Sequence, residues 1–297
     1  MRKIIIACLL LISPVSQADT TIGIINETVS QAKARWAEGQ ASLAAAATWS
    51  AVKAGSPGAL KKLEAIAQGG DPTALNMMGW LYDNGAYGVR TNPQSAARFF
   101  RTAAERGSEV AIYNIGAIAF HGRGVPKDEA VAYAWFSRAA QSKTIHRACV
   151  RAAVLGAARK ASANEIESYI QCATDHGNAT GFFLRGRREY QSGNFDAAAT
   201  WLTKAANAME PNAPWLLSRL YSQSPGLKPD NVIAAGWWAI GARLNPKRPG
   251  INATGLNTFS LTDAERQRAN HFAEQWISTR KLAAPINYAK TILDPRE

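Results

Sequence analysis

An aromatic residue, usually followed by a second apolar one, returns along this chain with a pair of small residues four and five positions later. It reads Phe99-Phe100 with Ala103-Ala104, Trp135-Phe136 with Ala139-Ala140, Trp201-Leu202 with Ala205-Ala206, and Trp237-Trp238 with Gly241-Ala242. A weaker copy is Tyr169-Ile170 followed by Ala173. The copies lie 36, 34, 32 and 36 residues apart. Self-similarity at such a period means that each copy is one small supersecondary unit stacked on its neighbours. Residues at i and i+4 share a helix face, so the large side chain of one helix can sit against a closely approaching neighbour.

The residues upstream complete the unit. Leu75, Met78, Gly79 and Tyr82 have helical spacing, and 111–120 repeats the pattern around Gly116. Each stretch is followed by a loop, Asn84-Gly85-Ala86-Tyr87-Gly88-Val89 in one and His121-Gly122-Arg123-Gly124-Val125-Pro126 in the other. Glycine supplies the positive-φ positions of the turn and of the first-helix C-cap. Asn92-Pro93 and Lys127-Asp128 then supply start signals for a second helix. A unit is therefore a helical hairpin that cannot bury its apolar face alone. Alanine, about a fifth of the chain, supports helix throughout.

These residues resemble the Sel1-like repeat, a close relative of the tetratricopeptide repeat. Residues 70–106 and 107–141 match its pattern of small-residue first helix, Gly-rich loop, aromatic second helix and Ala-Ala before a closing glycine. Residues 177–208 look more like a tetratricopeptide unit, with the short turn Ser192-Gly193-Asn194-Phe195. Residues 211–245 return to the Sel1 type with Leu227-Lys228-Pro229 in place of the glycine loop, and 143–176 are degenerate. The resemblance implies an all-α fold, an α-solenoid of stacked antiparallel hairpins over 70–245. Residues 19–69 read as N-terminal capping helices and a partial repeat. Residues 246–297 read as a loop, a capping helix opened by Ser260-Leu261-Thr262-Asp263, and an irregular tail.

The N-terminus reads as an export signal. Arg2 and Lys3 precede the apolar run Ile4 to Ile12, and Ser16-Gln17-Ala18 supplies a small-residue cleavage site after Ala18, so residues 1–18 are expected to be removed. The apolar run is too short to span a bilayer as a helix. Ile5-Ile6-Ala7-Cys8 resembles a lipoprotein box only superficially, because it divides the apolar run. The expected location is periplasmic or secreted. The net charge of +12 falls to +10 once Arg2 and Lys3 are gone, and it is spread along the chain. Nucleic-acid binders concentrate such charge in a stripe interleaved with stacking aromatics. Attraction to acidic partners or a membrane surface explains a dispersed excess more simply.

Candidate chemistry is sparse. Cys149 and Cys172 remain after cleavage, an even count in an exported chain. They fall 13 residues before and 10 after a turn near Ser162, close enough in register for antiparallel helices to set them side by side in a disulfide worth roughly 3 kcal/mol. The alternative is two small buried residues. His121, His146, His176 and His271 show no metal-ligand spacing, and no metal or cofactor is expected. Ser30-Gln31-Ala32-Lys33 fits the Ser-x-x-Lys pattern of penicillin-recognising enzymes, without the companion motifs. A hydrolase built on Ser30 and Lys33 is thus a remote alternative to a non-enzymatic protein.

What remains is surface. First helices of stacked hairpins line a concave groove, and the repeat phase places Trp80, Tyr113, Phe183, Arg187, Trp215 and Arg219 on it. Aromatics and Arg dominate interface hot spots, although the same residues also serve as core between hairpins. The expected function is a protein–protein scaffold acting as adaptor or regulator in the envelope. The resemblance also implies a second role, an immunity protein neutralising a periplasm-targeted toxin, which a basic solenoid would suit if that toxin were acidic.

Overall fold

The computed structural model describes residues 42–142, 144–225, 228–245 and 259–280. The expected signal segment 1–18, the start of the N-terminal cap and the tail from Leu282 lie outside the described residues. Regular structure among the described residues is helical, and the chain divides between Ser108 and Glu109 into two compact units. The first holds α1 (42–53), α2 (Ala59–Gln68), α3 (Pro72–Asn84) and α4 (Pro93–Glu105). The second holds α5 (Glu109–His121), α6 (Glu129–Ala140), α7 (His146–Ala158), α8 (Ala163–Asp175), α9 (Ala179–Gln191), α10 (Phe195–Asn207), α11 (Ala213–Gln223), α12 (Asn231–Leu244) and α13 (Asp263–Ser278). The fold is an all-α array of antiparallel hairpins of the α-solenoid class, and in the second unit successive hairpins pack through α6 on α7, α8 on α9 and α10 on α11.

Helix starts follow the polar residues that can cap them. Asp71 accepts from the Ala74 amide at 2.7 Å, ahead of Pro72 in the first turn, and Asn92 accepts from Ser95 at 3.0 Å, ahead of Pro93. Asp128, Ser162, Asn178 and Asp230 cap α6, α8, α9 and α12 in the same way. Each satisfies an amide that a helix start leaves without an intrahelical partner.

In α3/α4, α5/α6 and α9/α10 a large side chain of the second helix is set against a glycine of the first. A Cβ at Gly79 would lie 2.6 Å from Phe100, one at Gly116 2.9 Å from Phe136, and one at Gly186 2.7 Å from Leu202. Only the missing side chain lets the helices approach so closely. Phe100, Phe136 and Leu202 are in turn fully buried. Two turn designs connect the helices. In the long one the second-helix cap donates back into the first helix: Asn92 to the Tyr82 carbonyl at 2.8 Å, Asp128 to Ala119 at 3.0 Å, and Asp230 to Tyr221 at 2.9 Å. The short one joins Ala161 to the Gly156 carbonyl and Asn194 to Glu189, both at 2.9 Å.

The second unit ends on α13. Its start is a capping box between Thr262 and Glu265. Phe272 and Trp276 meet the Trp237 ring edge to face at 5.4 and 6.0 Å, and the Trp276 indole donates to Asn207 at 3.2 Å. The apolar face of α12 is thereby covered.

Candidate binding face

The first helices α5, α7, α9 and α11 bring arginines over aromatic rings. Arg147 on α7 lies 4.5 Å from the centre of the Tyr113 ring on α5, and Arg151, one turn later, lies 5.9 Å from Phe120. Arg219 on α11 lies 5.9 Å from Tyr190 on α9, and within α9 Arg187 lies 6.0 Å from Phe183. A guanidinium beside a ring keeps its stem against apolar surface; Arg187 and Arg219 are exposed, while Arg147 and Arg151 are half-buried. Each pair is worth only about 0.5–1 kcal/mol at an exposed site. Their larger effect is to hold a long side chain in one orientation, which lowers the entropy lost when something binds.

The charges of these four arginines are unspent. None of Arg147, Arg151, Arg187 and Arg219 makes an ion pair among the described residues. Their neighbours on α9 differ. Arg185 pairs with Glu167 of α8 and with Glu189 at 3.2 Å, and Arg188 pairs with Glu167 at 3.1 Å. The cluster Arg185-Arg187-Arg188 thus splits into two structural cations and one that faces outward. The field of the α5/α7 end also shows in His121, whose pKa is held below the ordinary value by burial and then by Arg123, Arg151 and Lys127.

The six residues expected on this surface occupy three settings. Trp80 belongs to the first unit, half-buried, meeting Trp49 edge to face at 5.4 Å and Tyr87 at 6.3 Å. Tyr113 is 6% exposed, set against Phe136 at 5.2 Å and covered by Arg147. Phe183, Arg187, Trp215 and Arg219 share the α9/α11 region. Phe183 packs on the core that contains Leu202 and Leu217, and Trp215 lies over Gly241 and meets Trp238 at 5.8 Å and 87°. Arg187 and Arg219 are exposed. Sequence reasoning passed over Arg147, Arg151, Phe120 and Tyr190. Their signal was the Arg/aromatic pairing one repeat apart, which requires the register of neighbouring first helices.

Cys149 and Cys172 are joined by a disulfide, with Cα atoms 6.0 Å apart. Beside it His146 and His176 stack with ring centres 3.5 Å apart, a juxtaposition their spacing of 30 residues in the sequence conceals. Among the described residues no three His, Cys, Asp or Glu side chains are placed to hold a metal ion. No described helix is long and apolar enough to cross a membrane. Ser30 and Lys33 lie outside the described residues.

The Sel1 repeat family model matches residues 72–108, 110–143, 181–208 and 212–246. The chain is a Sel1-repeat protein. Such repeats are protein-interaction scaffolds. Comparison with curated protein sequences gives no match. Among solved structures, a protective antigen of uropathogenic Escherichia coli with an SLR fold aligns at a TM-score of 0.65 and 22% identity, over 76% of this chain and 51% of that one. The Sel1-repeat protein therefore spans about half the length of that antigen. A Sel1 repeat protein from Oxalobacter formigenes aligns at a TM-score of 0.51 and 26% identity, over 69% of this chain and 88% of that one. Both likenesses concern the fold.

Proposed function

We propose that this Sel1-repeat protein is an exported, non-enzymatic scaffold that takes a partner protein on the face formed by its first helices, as adaptor or regulator of an envelope process. The observation that carries this reading is the set of four arginines, Arg147, Arg151, Arg187 and Arg219, each oriented by an aromatic ring and none engaged in an ion pair among the described residues. Side chains held beside rings and left without an ion pair suit recognition better than stability, since an exposed cation beside a ring, as at Arg187 and Arg219, adds little to folding. Arg and aromatic residues are also the types that dominate hot spots. The composition of the face favours a partner with acidic residues. The export signal read in residues 1–18 supports a periplasmic or secreted location.

The test is affinity capture from the cell envelope with the intact protein and with an Arg187→Glu/Arg219→Glu variant, each at low and moderate salt. The proposal expects a partner that weakens with salt and is lost at least tenfold in the double variant, about 1.4 kcal/mol or more. Retention of every captured protein by the variant would remove the face from consideration. A single secreted toxin as the captured species would turn the reading to immunity, and an envelope assembly to the adaptor.

A further inference from the structure

Hairpin α7/α8 carries a groove that its neighbours fill. In α3/α4 and α5/α6 the second helix sets Phe100 and Phe136 against a first-helix glycine. The same repeat position in α8 is Ile170, and α7 offers it Ala153 instead, while Gly156 faces Tyr133 of α6. The lost ring leaves a thin core of Ala153, Ile170 and Leu184 and, beside it, an open groove of about 360 Å³. The disulfide holds one end of the hairpin, near the start of α7 and the end of α8. The groove opens at the other end, around the turn that carries Lys160 and Ala161. A covalent clamp at one end lets the pair stay a hairpin with an incomplete interior at the other.

The floor of the groove is apolar, formed by Ala153, Ile166, Ile170 and Leu184, and its rim carries Ala157, Lys160, Arg187 and Arg188. Arg188 is engaged by Glu167 and by the Ala163 carbonyl. Lys160 and Arg187 make no ion pair among the described residues. The α8 N-terminal residue Ala163 also lines the groove, which adds the positive end of a helix dipole to the same rim. The volume is at the small end for ligand sites, enough for one large apolar side chain and short of a helix. Arg187 joins the rim to the first-helix face, so a chain lying on that face can reach the groove.

We propose that this groove is an anchor pocket for a partner polypeptide, taking one Leu-sized apolar side chain on its floor while an adjacent Asp or Glu of the partner meets Lys160 and Arg187. This rests on the protein-binding reading and names the local chemistry of the segment that would be read. The floor contributes burial of apolar surface, and the two cations select the flanking residue through partly exposed ion pairs.

The test is methyl NMR of the isotope-labelled full chain titrated to millimolar concentration with acetyl-Ala-Leu-Asp-Ala-amide, and with the same peptide carrying Asn for Asp. The expected result is saturable shifts confined to the Ile166, Ile170 and Leu184 methyls, with binding about fivefold weaker for the Asn peptide. Ala157→Trp, at an exposed α7 position, should fill the groove and abolish the shifts, while Lys160→Gln should weaken the preference for Asp and leave the floor. Absence of shifts, equal response to both peptides, or shifts that survive Ala157→Trp would each overturn the proposal. Groove methyls that move when the protein alone is concentrated would assign the groove to a second copy and overturn it too. Because Ala157→Trp leaves Arg219 and Arg147 untouched, loss of the envelope partner only in the Arg187→Glu/Arg219→Glu variant would sink the anchor while sparing the binding face.

Discussion

Hairpins α5/α6 and α7/α8 are consecutive in the second unit, and they meet the same packing requirement by different means. In α5 every residue from Ala111 to Ala119 is buried, and Gly116 admits the Phe136 ring against the backbone. Its loop uses Gly122 and Gly124 at φ 69° and 70°. In α7/α8 the interior residue is Ile170, the turn runs through Lys160 at φ 57°, and a disulfide joins the helices. A side chain in that left-handed region costs free energy that glycine avoids. The difference teaches that α7/α8 keeps its place in the array without a large residue set against a first-helix glycine, where a covalent link limits how far its helices can part. The slack so created lies at the surface, where it becomes a groove.

Truncation of the interior residue should separate the two hairpins most. Phe136→Ala removes a fully buried ring from a site with no room to collapse, and about 3–5 kcal/mol of stability should be lost in urea unfolding. Ile170→Ala should fall near the low end of the range for such residues, about 2 kcal/mol, because its site already adjoins open groove. Equal losses would break the comparison. The disulfide comes next. Cys149→Ala/Cys172→Ala should cost about 3 kcal/mol, and hydrogen exchange should show the loss in α7 and α8 with α5 and α6 little changed. A loss spread evenly over both hairpins would mean that the clamp serves the whole unit rather than compensating one weak repeat.

The architecture was legible because the repeat declares itself through pairs that physics couples. Phe136 with Ala139-Ala140, Asp128 before a helix, and glycine after one each require a particular backbone, and the structure supplies it. The family model passes from residue 143 to 181 without a match, and in that gap local signals still marked two helices and the pairing of Cys149 with Cys172. The binding face was harder to read. The phase of α9 brought Phe183 and Arg187 to one surface, yet Tyr113 at the corresponding phase of α5 is roofed by Arg147 from the next repeat. Which member of such a pair reaches solvent depends on contacts between hairpins, and a single-helix pattern carries no record of them. The same holds for His146 and His176, which only the α7/α8 pairing brings together.

The smallest expected effect is an acid response that differs between the hairpins. The His146 pKa is held below its ordinary 6.5 by burial, with His176 stacked against it contributing second. His176 in turn holds its Nδ1 2.7 Å from the Cys172 carbonyl, an acceptor only, so that nitrogen carries the proton. A depressed folded-state pKa means that the unfolded chain takes the proton first, so stability is full above pH 6.5 and falls as pH drops below it. Hairpin α5/α6 has its own titrating tie. Glu109 accepts from Ser142 at 2.5 Å and Thr144 at 2.6 Å, and these bonds hold its carboxyl below the ordinary 4.5. The sign is the same but the window is lower: that contribution persists above pH 4.5 and is lost beneath it. It is worth less than about 1 kcal/mol, since the carboxylate is exposed to solvent. In a His121→Gln background, which removes the depressed imidazole at the end of α5, local opening free energies from hydrogen exchange should therefore decline in α7 and α8 between pH 6.5 and 4.5 while α5 holds, with α5 following only below that. His146→Phe should remove the first decline and Glu109→Gln the second. If both hairpins weaken together from the outset, the stacked pair is not what separates them in acid, and the clamp alone distinguishes α7/α8 from its neighbour.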